Sequence, residues 1–134
     1  NYFGFIKEHD SYEYAKSIKD LIIEGSEPNP YLTDIIAHLK KGKLCVPLMG
    51  AVEDAMHPQF DDDDFFDNEI MGYISVYTDG KWFWPHYLIR YLEKYPHIKI
   101  EDSFVQHVKS NKTKVVEDSK LPALEKEFLR TSWR

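Results

Sequence analysis

Cysteine is nearly absent from this sequence: Cys45 stands alone, so no internal disulfide can form. Secreted domains of this size often carry cysteine pairs, so a lone thiol points to a reducing, cytoplasmic setting. Positive charge is also short. Lysine and arginine number 17 against 23 aspartates and glutamates, for a net charge of −6. Gripping phosphates takes a basic patch, and the sequence shows none, which argues against nucleic acid as a partner. The same deficit argues against an anionic membrane surface. Long apolar runs are missing too. Leu21-Ile22-Ile23 is typical of the longest, far below what a bilayer span requires. The opening residues Asn1 to Phe5 do not resemble a secretion signal. No internal repeat, heptad array or low-complexity tract interrupts the chain.

What is present suffices for a folded domain. The 134 residues are 43% hydrophobic and 15% aromatic, which is ample core material and the length of one domain, residues 1–134. Asp10-Ser11 predicts a helix cap, with a first helix from about Tyr12 to Glu24 and Gly25 behind it. Asn29-Pro30 predicts the start of a second helix with Leu32, Ile35, Ile36 and Leu39 on one face, closed by Lys40-Lys41-Gly42. Lys43 to Met49 reads as a short strand. Gly50 to Asn68 reads mostly as an exposed loop, with a helical turn at Val52 to Met56. Ile70 to Tyr77 and Lys81 to Trp84 flank Asp79-Gly80, a strong turn dipeptide, and predict a hairpin. A helix from Pro85 to about Tyr95, another opening at Asp102, and a last one from Leu121 to about Thr131 complete the chain. Leu124, Phe128 and Leu129 form the expected buried face of that last helix. The fold class expected is α+β: about five helices packed on a short antiparallel hairpin or small sheet.

Catalytic motifs are not found. Ser75 lacks the G-x-S-x-G elbow, Cys45 sits in an apolar segment suited to a buried thiol, and no Walker or dinucleotide loop occurs. Six histidines, His9, His38, His57, His86, His97 and His107, include no pair at helical metal-ligand spacing; zinc would require convergence in space. The expectation is therefore no catalytic residue, no metal and no cofactor. Trp82 and Trp84 should share one strand face opposite Phe83, as core, with their indole N–H groups served by loop carbonyls or Asp79.

The most conspicuous feature is acidic. Asp61, Asp62, Asp63, Asp64, Asp67 and Glu69 place six carboxylates within nine residues, interleaved with Phe60, Phe65 and Phe66. Such a run resists burial. Carboxylates steer a basic protein and aromatics anchor it, so these nine residues are the expected partner-binding set. A calcium loop of the EF-hand type is disfavoured, because no glycine lies within the run. The alternatives are a small metal-dependent hydrolase using the aspartates with His57, or a structural or adaptor domain.

The segment Tyr77-Thr78-Asp79-Gly80-Lys81-Trp82-Phe83-Trp84-Pro85, with Leu88, Tyr91 and Tyr95 behind it, resembles a TDG-x-W-x-WP-x-x-L-x-x-Y signature of small bacterial cytosolic proteins. Together with size, acidity and the lack of catalytic residues, this is similar to immunity proteins of polymorphic toxin and contact-dependent growth inhibition systems. The resemblance spans about Ile70 to Val108. It implies a non-enzymatic inhibitor that binds a cognate toxin domain, usually a nuclease, and blocks its active site. It supplies no contact residues; the acidic set is read from charge alone.

Overall fold

The computed structural model describes residues 1–22, 25–56, 69–110 and 115–132. Among these the chain is α+β, with five α-helices and two small antiparallel sheets. In chain order the elements are α1 (Ile18–Leu21), α2 (Leu32–Lys40), β1 (Lys43–Val46), β2 (Ala51–Glu53), β3 (Ile70–Tyr73), β4 (Val76–Thr78) and β5 (Phe83–Pro85). Then follow α3 (Leu88–Lys94), α4 (Asp102–Ser110), a 3-10 turn (Asp118–Lys120) and α5 (Leu121–Ser132). One sheet has the order β1-β4-β5, and the other pairs β2 with β3.

The expected hairpin is β4–β5, with Thr78 opposite Phe83. Its turn is closed by side chains. Asp79 Oδ1 accepts from the amides of Lys81 at 2.9 Å and Trp82 at 2.8 Å. Thr78 Oγ1 donates to the Trp82 carbonyl at 2.8 Å and accepts from the Gly80 amide at 3.0 Å. Gly80 takes a φ of 102°, which glycine reaches without a side-chain clash. The chain start lies beside β5: the Phe83 amide donates to the Asn1 carbonyl at 2.8 Å, and the Phe3 amide to the Phe83 carbonyl at 2.9 Å.

Strand alternation sends side chains to opposite faces, and each face holds its own core. Trp82 and Trp84 join Ile35, Leu39, Tyr91 and Phe104 on one side. Phe83 joins Phe5, Cys45, Val46, Val76 and Phe128 on the other. Helix α2 packs on α3 and α4, α3 on β3, and α5 on β1. Gly42, between α2 and β1, lies against the Trp84 ring; a Cβ there would come within 2.2 Å of its Cζ2. The residue that ends the helix therefore also makes room for the largest core side chain.

Several expected elements differ. The first helix shrinks to α1, because Tyr12 and Tyr14 stack with each other and pack against Phe5, and the Lys16 amide donates to the Phe5 carbonyl at 3.0 Å. Asp10 is not a helix cap. It is buried and accepts from the Tyr87 hydroxyl at 2.7 Å. Ala51–Glu53 is a strand rather than loop or helical turn, because Ile70–Tyr73 supplies a ladder for it. The Ile70–Tyr77 stretch splits in two at Ile74-Ser75, where the Ser75 hydroxyl both donates to the Leu48 carbonyl and accepts from its amide. Leu129, expected to be buried, is exposed, and Phe128 takes the core position.

Candidate functional site

Two places gather chemistry. The first is a cluster absent from the sequence-based expectations. His38 lies in the last turn of α2, His107 in α4, and Asp79 at the tip of the β4–β5 turn. The Nε2 atoms of His38 and His107 lie 2.7 and 2.6 Å from the same atom, Asp79 Oδ2. The three side chains are only 10%, 10% and 4% exposed. With Oδ1 held by the two turn amides, all four contacts place a proton donor on one carboxylate. Burial alone would raise the Asp79 pKa. The His38 contact, the Trp82 and Lys81 amides and the His107 contact outweigh it and hold the group well below the ordinary carboxylate range. Trp82, Trp84 and Phe104 wall the cluster, with the Trp84 and His38 ring centroids 6.0 Å apart. The expectation that Asp79 or a loop carbonyl serves both indoles fails for Trp84: its buried N–H bonds to none of the described residues.

His38 and His107 reach Asp79 across 41 and 28 residues of sequence. Neither lies at ligand spacing from another histidine on its own helix, so the sequence carries no local signal of the group. The three ligand-type atoms lie within 4.8 Å of one another, which is close enough to share one ion.

The second place is the β2–β3 pair, whose strands lead into and out of the acidic segment. His57, Phe60, Asp61, Asp62, Asp63, Asp64, Phe65, Phe66 and Asp67 lie outside the described residues. Glu69 is described, and its carboxylate is engaged within the chain: Arg90 Nη2 sits 2.8 Å from Oε1, and Lys94 Nζ 3.9 Å from Oε2. Next to it, the buried Asp54 holds Lys94 Nζ at 2.6 Å, the Tyr95 hydroxyl and the Met56 amide. The Asp54 amide donates to the Glu69 carbonyl at 3.2 Å. Tyr91 extends this network, accepting from the Ala55 amide at 2.8 Å and pairing with His9 Nε2 at 2.7 Å. Helix α3 thus pins both stems of the acidic segment.

On and beside these strands several large apolar side chains are exposed. Met49 is 98% exposed, Ile70 54% and Tyr73 53%, with Met56 exposed as well. The Tyr73 ring lies beside His86, centroids 5.4 Å apart, and His86 beside Tyr77 at 5.6 Å. His86 Nδ1 accepts from the Tyr73 amide at 3.0 Å, which leaves the ring proton on Nε2. Burial lowers the His86 pKa and favours this neutral form.

A separate cavity of about 60 Å³ lies between the N-terminal segment and the stretch holding Ile98 and Glu101, with Phe3, Leu21 and Leu88 among its apolar lining. It shares no lining residue with the histidine–aspartate cluster. No helix among the described residues is long and apolar enough to cross a membrane. No family model, curated protein or solved structure matches the chain.

Proposed function

We infer that this chain is a protein-binding inhibitor of the immunity type, which neutralises a cognate bacterial toxin domain by docking through the β2–β3 pair and the acidic segment it carries. The observation that supports this most is exposed apolar surface on a braced element. Met49, Ile70 and Tyr73 stand in solvent on or beside strands that Asp54, Tyr91 and Lys94 tie to α3. Exposed methionine, isoleucine and tyrosine beside charge have the composition of interface anchors with a steering rim. Fixed stems reduce the ordering cost on binding.

Charge adds the second part. Asp61, Asp62, Asp63, Asp64 and Asp67 would draw a basic cleft by long-range attraction, with Phe60, Phe65 and Phe66 as further anchors. Glu69 belongs to the brace rather than the contact, because Arg90 and Lys94 already face its carboxylate. The partner is then a basic protein, such as a nuclease domain whose nucleic-acid cleft the aspartates would fill.

The test is capture followed by reconstitution. The tagged chain is used as bait in its source cell, beside a variant with Asp61 to Asp64 changed to asparagine and a Tyr73→Ala, Ile70→Ser variant. A basic protein held by the native chain, lost from both variants and toxic only when expressed without the chain is the expected result. Association should slow about tenfold or more for the asparagine variant at low salt and converge with the native rate at high salt. Capture that is equal for all three proteins would place the contact elsewhere on the surface.

A further inference from the structure

We propose that His38, Asp79 and His107 form a binding site for one divalent transition-metal ion of the zinc class. This is independent of the docking surface, which lies on β2 and β3.

The argument starts from convergence. A tie between two helices and a turn needs one hydrogen bond from each. Here both imidazoles aim the same ring nitrogen, Nε2, at one carboxylate oxygen rather than spreading over two. Oδ1 is already committed to the Lys81 and Trp82 amides, which fix the carboxylate plane and point Oδ2 toward the histidines. Metal-ligating carboxylates are typically oriented in this way by a second hydrogen-bonded oxygen.

The donor set selects the ion. Two imidazoles and one carboxylate suit zinc, cobalt or nickel, whereas calcium and magnesium prefer all-oxygen shells. Ligand bonds of about 2.0–2.1 Å at tetrahedral angles place ligand atoms about 3.3 Å apart. The N···O separations are 2.7 and 2.6 Å, so metal entry requires each ring to retreat by about 0.6 Å. Both rings sit on side chains of helices α2 and α4, and small χ changes within a rotamer well are the movement this takes. Three protein ligands leave a fourth position for water or an anion. The Trp84 ring lies beside His38, centroids 6.0 Å apart, and its buried N–H bonds to none of the described residues. An ion here would join α2, the β4–β5 turn and α4, and so would add to stability.

Proton placement gives a readout apart from affinity. Without metal, both Nε2 atoms carry a proton and donate to Asp79. With metal, Nε2 becomes the ligand atom and the proton moves to Nδ1 in each ring. The experiment titrates zinc chloride into the chelator-stripped full chain, followed by calorimetry and proton–nitrogen correlation spectra of the imidazoles. One saturable site per chain is expected, with Nε2 of His38 and His107 losing its proton and the other histidines unchanged. Melting should rise by about 5 °C or more at a hundredfold excess over Kd. His107→Gln should weaken zinc at least tenfold, and cobalt chloride should give the intense visible bands of a four-coordinate ion. Absence of saturable uptake at about 1 mM zinc overturns the proposal, a weaker affinity than functional zinc sites show. Uptake that leaves both Nε2 protons in place overturns it equally, because the ion then sits elsewhere, for instance on the aspartate run. Should His107→Gln fail to fold, the nitrogen spectra of the native chain decide alone.

Discussion

Replacing Asp79 by alanine removes, in one step, the acceptor for four donors. Two are turn amides at 2.9 and 2.8 Å and two are imidazole nitrogens at 2.7 and 2.6 Å. A hydrogen bond to a charged acceptor contributes about 1.5–3 kcal/mol. The four act as a unit and are not summed. The Lys81 amide is exposed and regains water, whereas the Trp82 amide and the two imidazole contacts are part-buried and do so poorly. A loss of about 3–5 kcal/mol follows. A chain of 134 residues has a total stability of about 7–20 kcal/mol, so the loss is a large share of it. Urea unfolding at neutral pH with a chelator present, to exclude any metal contribution, measures it. Fluorescence reports the transition, because Trp82 and Trp84 are buried. With a slope of about 2 kcal/mol per molar, the midpoint should fall by about 2 M. Asp79→Asn keeps one oxygen for the turn amides and should lose less, about 1–3 kcal/mol. An alanine variant within about 1 kcal/mol of the native chain, at unchanged slope, would refute the idea that this carboxylate ties α2, α4 and the turn together.

Two further expectations rest on other buried groups. Burial raises the Asp54 pKa, but the Lys94 and Tyr95 contacts, the Met56 amide and the Lys94 charge outweigh it, and the net shift is downward. A carboxyl depressed in the fold contributes stability above its unfolded pKa of about 3.9 and loses it as pH falls through the folded value. Asp54→Asn should therefore be less stable at pH 7, and its urea midpoints should approach those of the native chain as acid is added; parallel pH profiles would contradict this. Burial, with Glu125 and Glu127 nearby, pushes the Cys45 thiol up to about 11. At pH 8 its thiolate is then scarcer than that of a free cysteine by at least about a hundredfold. Labelling with a disulfide reagent should be slower than for a small thiol by that factor in the native chain and rapid in urea. Fast native labelling would mean that Cys45 is not packed in the core beside Phe5, Val46 and Phe128.

The local parts of the fold were readable because they depend on neighbours in sequence. Asp79-Gly80 makes its turn with bonds spanning two or three residues, and α2 follows from Pro30 and the Leu32, Ile35, Ile36, Leu39 stripe. The failures are tertiary. Nothing near Asp10 foretells Tyr87, and nothing near Ala51 foretells a partner strand beginning at Ile70. Tyrosines at 12 and 14 match a helix as readily as the ring stack they form. The histidine–aspartate cluster was illegible for the same reason: three elements supply one residue each. The acidic run was plain in composition, yet its last member, Glu69, spends its charge on Arg90 inside the chain.

Strand β5 is a shared wall. All three of its residues are buried, with Phe83 turned toward one core and Trp84 toward the other. Melting either side strips packing from the strand that the opposite side leans on, so neither core has an independent route to disorder. Partial openings that spare half the molecule are thereby suppressed, and a lesion in the Phe83 pocket registers among the helices behind Trp84.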